Sequence, residues 1–313
     1  MNGNGAGVID AAGVLPAGAE LTRVVTGATW SEGPVWLAER GVLRWSDIPG
    51  NRILEVDPTL GELIVHRSDV EFTNGRTLDL DGAVIQCSHG RRAIEREIDG
   101  VPTTLVDSFN GMRLNSPNDV VVASDGAIWF TDPPYGIIQA HEGHLGDPEY
   151  GGNFVFRFDP ATGETVAAIT DMDEPNGLAF SPDESVLYVA DSAAVLRDGN
   201  GNHHIVAYDV SDEWICSNPR VFAVIEPGVP DGLRVDVEGR IWTSSSGAVQ
   251  VFTSEGQRIA VIPVPEGVGN LCFGGANFDV LHATCGDKVF MRKVKVKGVN
   301  HFEPPLKPAP PRL

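Results

Sequence analysis

Four residues with oxygen-bearing side chains precede short apolar segments. They are Glu32, Asn118, Asn176 and Asp231. Two carboxylates and two amides are hard oxygen ligands, which suit Ca²⁺, Mg²⁺ or Mn²⁺ better than metals that prefer thiolates. Asn-Gly and Asp-Gly pairs are also ordinary turn formers, but this alternative explains the glutamate of Glu32-Gly33-Pro34 poorly. From the residues alone, a cation site and a set of turns both remain open.

The same pattern recurs six times along the chain. An anchor residue precedes an apolar run, a turn that usually contains Gly follows, and a second apolar run comes after the turn. The anchors are Glu32, Asn74, Asn118, Asn176, Asp231 and Asn270, at spacings of 42, 44, 58, 55 and 39 residues. Apolar runs of this kind, bounded by Asp-Gly turns, are typical of β-hairpins.

Further strand-like runs lie between these hairpins, for example at 52–56, 154–158, 205–208 and 249–252. With one more strand after each, a repeat contains four strands at a period of about 40–55 residues, which is typical of a propeller. The sequence therefore predicts an all-β fold, a six-bladed β-propeller in a single domain spanning residues 1–313. Since the first strand of a blade is innermost, equivalent anchors should converge at one mouth of the central channel.

The two ends of the chain predict how the ring closes. Residues 21–26 resemble the fourth strand of a repeat but have no first three strands before them. The sixth repeat has a third strand at 288–296 and then runs into a proline-rich segment. We expect the N-terminal strand to complete the last blade, because this pairing removes two exposed sheet edges. Residues 1–19 are predicted to be irregular, and 298–313 to form a proline-rich tail.

Two segments, 133–153 and 192–204, break the repeat period. Long loops in a fold that otherwise has short ones are commonly lids or binding loops. A plain surface insertion is the alternative.

The composition limits the possible partners. With 23 Lys and Arg against 43 Asp and Glu, the net charge is −20, which argues against binding to nucleic acid or anionic membranes. No apolar run is long enough to span a bilayer, and the N-terminus does not look like a signal peptide. The four cysteines do not form a disulfide framework. We expect a cytoplasmic protein, monomeric or homodimeric.

Other chemical motifs are weak. His141-Glu142-Gly143-His144 is one residue shorter than the HExxH motif of zinc proteases and lies in a glycine-rich segment. No Gly-x-Ser-x-Gly motif of serine hydrolases is present. Five tryptophans recur at strand positions and are expected in the blade core: Trp30, Trp36, Trp45, Trp129 and Trp242.

Four segments, in this order, resemble the gluconolactonase / senescence-marker-protein-30 (regucalcin-like) family. They are Ser31-Glu32-Gly33-Pro34-Val35-Trp36, Leu114-Asn115-Ser116-Pro117-Asn118-Asp119, Pro175-Asn176-Gly177-Leu178-Ala179-Phe180-Ser181-Pro182-Asp183 and Pro230-Asp231-Gly232-Leu233. Residues 74–77 and 87–92 resemble the bacterial gluconolactonase branch in particular. The resemblance covers about residues 20–290. It implies a six-bladed propeller with one catalytic divalent cation, usually Ca²⁺, with Mg²⁺, Mn²⁺ and Zn²⁺ as alternatives.

The resemblance also implies that Glu32, Asn118, Asn176 and Asp231 hold this cation and that Asp231 is the general base. Such a site suits hydrolysis of a sugar lactone, such as glucono-1,5-lactone, because the cation polarises the carbonyl and Asp231 accepts a proton from water. Candidates for binding the sugar hydroxyls are Asn74, His89, Tyr135 and Asn153. The animal branch has Arg-x-Asn-Asp where this chain has Ser116-Pro117-Asn118-Asp119, so its substrate contacts do not transfer.

Two alternative functions remain. A phosphotriesterase-like or broader lactone esterase could use the same cation, because a fold does not determine a substrate. A non-catalytic, calcium-stabilised binding propeller is the second alternative, and the presence of Asp231 and of both long loops argues against it.

Overall fold

Six antiparallel sheets of four strands each account for most of residues 13–299, the part of the chain that this computed structural model describes. The first strand is β1 (Thr22–Thr26). Blade 1 contains β2 (Ser31–Leu37), β3 (Val42–Asp47), β4 (Arg52–Val56) and β5 (Ile64–Ser68). Blade 2 contains β6 (Thr73–Leu78), β7 (Val84–Ser88), β8 (Ala93–Ile98) and β9 (Val101–Val106). A short hairpin follows, formed by β10 (Ser108–Phe109) and β11 (Met112–Arg113).

Blade 3 contains β12 (Val120–Val122), β13 (Ile128–Asp132), β14 (Phe154–Asp159) and β15 (Glu164–Ile169), with the helix α1 (Tyr135–Ile138) between β13 and β14. Blade 4 contains β16 (Pro175–Phe180), β17 (Val186–Asp191), β18 (His204–Val210) and β19 (Cys216–Val224), with a 3-10 helix (Ala193–Val195) between β17 and β18. Blade 5 contains β20 (Leu233–Val235), β21 (Ile241–Ser245), β22 (Ala248–Phe252) and β23 (Arg258–Pro263). Blade 6 contains β24 (Asn270–Gly274), β25 (Val280–Cys285) and β26 (Lys288–Lys293), and β1 completes it.

The first strands of the blades form the wall of a central channel. They contact one another in the cyclic order β2, β6, β12, β16, β20, β24 and back to β2. Because every blade has four antiparallel strands, these six strands all run in the same direction. Their starts therefore lie at one mouth of the channel, together with the loops that join second to third strands. The predicted six-bladed β-propeller is confirmed.

The last blade closes as expected. β1 pairs antiparallel with β26, with Thr22 opposite Met291 and Thr26 opposite Lys288. The third strand ends at Lys293, earlier than the predicted residue 296, because the main chain of residues 294–295 bonds instead to Asp279 and Val14. The predicted irregular N-terminal segment is described only from residue 13, and most of the predicted tail lies outside the described residues. No helix among residues 13–299 is long and apolar enough to span a membrane.

Most blades pack through apolar residues, but blades 1 and 2 also share a buried ionic network. Trp45, Trp129 and Trp242 are at most 1% exposed and lie in three separate core clusters. Between blades 1 and 2, Arg44 bonds both Glu55 (2.8 Å) and Glu97 (2.6 Å). A buried ion pair is costly to break because the remaining charge has no water to solvate it. These two blades are therefore held in register by charge as well as by packing.

Glycines after the anchors allow adjacent first strands to approach closely. Gly75 N–H donates to Asn118 O (2.8 Å), and Gly177 N–H donates to Asp231 O (3.0 Å), so each bond joins one blade to the next. A Cβ added to Gly177 would lie 2.2 Å from Asp231 O. At these two positions the alternative interpretation as turn formers is wrong, since the glycines lie where neighbouring main chains meet.

We predict that Gly177→Ala destabilises the protein by about 1–3 kcal/mol, because the added methyl group forces two first strands apart. Chemical denaturation measures this as a lower free energy of unfolding. Gly267→Ala is the matched control, since its Cβ would meet nothing within 4 Å. Equal stability of the two variants would contradict the close approach of the strands.

The closure of blade 6 predicts unequal effects of shortening the two ends. Deleting residues 1–28 removes β1, including the buried Val25, which packs in one cluster with Val289. It should lower the melting temperature far more than removing residues 304–313. Differential scanning calorimetry makes the comparison, and equal melting temperatures would count against closure by β1.

Candidate metal centre and active site

The four predicted metal ligands lie at the same mouth of the channel, at equivalent points of four blades. Glu32 lies in β2 and Asn176 in β16, each beside a bulge in the pairing with the second strand. Asn118 and Asp231 come just before β12 and β20. A bulge re-aims side chains locally, so these strand starts can direct polar groups into the channel while the strands continue as apolar core.

Interactions bring three of the four side chains together. Asn176 hydrogen-bonds the Asp231 carboxylate, and Asp231 acts electrostatically on Glu32. Asn118 reaches this mouth through its main chain, whose carbonyl accepts the Gly75 N–H. Its side chain is 5% exposed.

Negative charges crowd this mouth. Burial raises the pKa of Glu32 well above its ordinary value, and the charges of Asp231 and Asp119 add to the rise. Burial raises the pKa of Asp231 to about 8, with further contributions from Asp119 and Glu142. The Gly33 N–H, which bonds Glu32 Oε2, and the nearby Asn270 side chain lower the pKa of Glu32 and so act in the opposite direction. A cation bound between the carboxylates would relieve the repulsion that these pKa values reflect.

The residues present fit a hard divalent cation. Glu32 Oε2 accepts a hydrogen bond from Gly33 N–H (3.1 Å), whereas the buried Glu32 Oε1 has no hydrogen-bond partner. A Cβ added to Gly269 would lie 1.8 Å from Oε1, so glycine there leaves room beside it. Groups of three or more His, Cys, Asp or Glu suited to a metal do not occur in residues 13–299. The candidate ligand set therefore depends on its two amides.

His89 and Asn74, two predicted substrate contacts, lie next to each other in blade 2. His89 Nδ1 donates to Glu142 O (3.0 Å), which leaves Nε2 to accept from Asn74 Nδ2 (3.3 Å). Burial lowers the pKa of His89 to about 4, so the ring is neutral near pH 7. The Nε2 atom of His89 is therefore already bonded within the protein. The side-chain carbonyl oxygen of Asn74 takes no part in that bond.

Tyr135 and Asn153, the other two predicted contacts, belong to the first long loop. The buried Tyr135 interacts with Glu174 and senses the charge of Asp231, and burial together with these charges raises its pKa well above the ordinary value. Asn153 instead donates to Asp173 O (2.7 Å) and accepts from Asn115 Nδ2 (3.3 Å). Tyr135 thus lies near the cluster, while the bonds of Asn153 tie blade 3 to blade 4.

Residues 133–153, called the lid below, extend from blade 3 across the mouth. The His144 ring lies 2.9 Å from Glu71 Oε2 beside blade 2, and the His141 ring stacks at 6.3 Å on Trp30 before blade 1. The expectation that Trp30 belongs to the blade core is wrong, because its ring is only partly buried and lies against the lid.

Sequence reasoning also missed Glu142. This lid residue is 4% exposed and its charge reaches Asp231. Its only signal in the sequence is His141-Glu142-Gly143-His144, which resembles a shortened zinc motif. Glu142 comes close to the site because the lid folds over a neighbouring blade, and local sequence does not show this.

Comparison with known proteins identifies the family of this chain. Residues 30–286 match the family described as SMP-30/Gluconolactonase/LRE-like region. A gluconolactonase of Zymomonas mobilis is 30% identical over 286 residues, covering 83% of this chain and 78% of its own. A pentonolactonase of Haloferax volcanii is 30% identical over 278 residues, covering 84% of each chain.

Solved structures give the same result. The structure of a gluconolactonase of Xanthomonas campestris matches with a TM-score of 0.85 at 40% identity, covering 90% of this chain and 91% of that one. The resemblance drawn from the four sequence segments is confirmed. The chain belongs to the SMP-30/gluconolactonase/LRE-like family.

Proposed function

We propose that this protein hydrolyses a sugar lactone, such as glucono-1,5-lactone, to the aldonic acid at the channel mouth. Glu32, Asn118, Asn176 and Asp231 would hold a divalent cation, Ca²⁺ in the first place, and Asp231 would be the general base. The similarity to a gluconolactonase and a pentonolactonase supports lactone hydrolysis, and the donor set of oxygens supports a hard cation.

One observation carries the proposal. The buried Glu32 Oε1 has no hydrogen-bond donor, although an unpartnered buried carboxylate oxygen is costly. It lies in the field of a second carboxylate, Asp231, from another blade. Two carboxylates and an amide at the open end of a channel are a poor arrangement for stability alone, and a suitable one for a cation.

When bound, a hard divalent cation supplies Lewis-acid polarisation of the lactone carbonyl and stabilises the charge that develops on its oxygen. Asp231 is held for its part by three contacts. Its main-chain N–H donates to Ser244 Oγ (2.9 Å), its main-chain carbonyl accepts from the Gly177 N–H, and its carboxylate accepts from the Asn176 side chain.

Asp231 can therefore transfer a proton while its own position stays fixed. One carboxylate oxygen takes a proton from water as the water oxygen attacks the carbonyl carbon. The same carboxyl group then returns that proton to the ring oxygen as the carbon–oxygen bond of the lactone breaks. The lid, which contacts His89, Glu71 and Trp30, would limit access of bulk water to these groups.

A substitution of Asp231 separates a base from a ligand. Asp231→Asn should lower kcat for glucono-1,5-lactone by about 10²–10⁴-fold, because an amide keeps a ligand oxygen but cannot accept a proton. Saturating Ca²⁺ should not restore the rate. Steady-state kinetics over a range of Ca²⁺ concentrations makes the measurement.

Glu32→Gln is the matched control for this variant. It removes the same charge from the same cluster, so its defect should be mainly in cation affinity and should be largely rescued by excess Ca²⁺. If saturating cation restores both variants equally, Asp231 is a ligand only and the base lies elsewhere.

The raised pKa values predict how cation binding depends on pH. The pKa of Asp231 is about 8 in the cation-free fold and near 4 in an unfolded chain. Between these values the folded protein holds a proton that the unfolded chain has released, so stability falls as pH rises through this window. A cation competes with that proton and removes the loss.

The increase in melting temperature on adding Ca²⁺, relative to EDTA, should therefore grow from about pH 5 to about pH 9. Differential scanning fluorimetry at constant ionic strength measures it. Asp231→Asn should show a flatter dependence because it has no carboxyl group to titrate. An increase that does not change with pH in the unmodified protein would contradict the assignment.

A further inference from the structure

The lid places a carboxylate over the channel mouth that the proposed reaction does not use. Glu142 lies within the lid and is 4% exposed. Its main-chain carbonyl accepts a hydrogen bond from His89 Nδ1 (3.0 Å), and its N–H donates to Gln139 O (3.0 Å). Contacts from blade 2 and from the lid itself thus fix its main chain.

Two glycines allow close packing in this part of the lid. A Cβ added to Gly143, the residue after Glu142, would lie 2.2 Å from Gly136 O. A Cβ added to Gly136 would in turn lie 2.6 Å from His89 Cβ. The lid therefore folds back on itself against blade 2, and Glu142 has a defined position above the mouth.

The side chain of Glu142 is only half satisfied by protein. Its Oε1 accepts a hydrogen bond from Gln139 Nε2 (2.8 Å). Its Oε2 accepts no hydrogen bond from residues 13–299, and solvent can reach this atom. The main chain of Glu142 is bonded to His89, whose ring in turn contacts the anchor Asn74 at this mouth. The charge of Glu142 also helps to raise the pKa of Asp231.

We propose that Glu142 binds the ring hydroxyl groups of the lactone and so selects polyhydroxylated lactones over unsubstituted ones. This inference rests on the proposed function. Burial raises the pKa of Glu142 to about 7, and above this pH its ionised carboxylate only accepts hydrogen bonds. A sugar lactone offers several hydroxyl donors where an unsubstituted lactone offers none. Hydrogen bonds to a charged group are stronger than neutral ones.

The alternative is that Glu142 donates a proton to the leaving ring oxygen. That oxygen is present in every lactone, so loss of a proton donor would slow all lactones alike. Loss of a hydroxyl acceptor would slow only the lactones that carry hydroxyl groups. A comparison of two substrates therefore separates the two roles.

The test is Glu142→Gln, which keeps an oxygen to accept the Gln139 bond and thus preserves the lid. Kinetics with glucono-1,5-lactone and δ-valerolactone, measured above pH 7 so that Glu142 is ionised, give the ratio of their kcat/KM values. We expect this ratio to fall about 10- to 100-fold relative to the unmodified protein, the usual loss for a hydrogen bond to a charged group, with most of the change in KM for glucono-1,5-lactone. Asp147→Asn, which removes the charge of an exposed lid carboxylate, should leave the ratio unchanged.

Two results would overturn the inference alone. They are unchanged kcat/KM values for both lactones in Glu142→Gln, and an equal fall of kcat/KM for both lactones. An unmodified, Ca²⁺-loaded protein that hydrolyses neither lactone would overturn the proposed function, and this inference with it. A thermal melt of each variant confirms that the kinetics refer to folded protein.

Discussion

The close approach of the six first strands is the constraint on which the rest of this structure depends. At Gly75 and Gly177 the main chain of one blade donates directly to the anchor of the next, and no side chain could be accommodated at either point. The contacts set the width of the channel mouth. They also determine which residues face one another there. Where the main-chain carbonyl of an anchor joins two blades, the side chain of that anchor lies beside the channel.

The same contacts concentrate negative charge. Glu32, Asp119 and Asp231 come from blades 1, 3 and 5, yet the charges of Asp119 and Asp231 raise the pKa of Glu32, and the charge of Asp119 raises that of Asp231, because the ring brings their strand starts together. Stability alone would favour apolar residues at such positions. The fold instead keeps carboxylates there and surrounds them with amides, main-chain N–H groups and a lid. Ionisable groups with shifted pKa values are expected to cluster in this way at a functional site.

The repeat pattern predicted the fold and the closure because both follow from local signals. Asp-Gly turns and apolar runs mark each hairpin, and the unpaired strand at 21–26 could be matched to the incomplete sixth repeat. The convergence of Glu32, Asn176 and Asp231 followed from equivalence of repeats. The lid contacts could not be predicted, since Glu142 meets His89 and His141 meets Trp30 only after 133–153 cross two blades. Such contacts depend on tertiary packing, and no periodic pattern in the sequence marks them.

The pairing of β1 with β26 also constrains the order of folding. Thr22 and Met291 are opposite each other although 269 residues separate them along the chain. Blades 1 to 5 are built from consecutive strands and can form as the ribosome releases them, at about 5–20 residues per second. Blade 6 must wait for the last strand, so β1 is a long-lived unpaired segment in every nascent chain. Loop-closure entropy makes this late contact slow, and the ring becomes a single cooperative unit only when it forms.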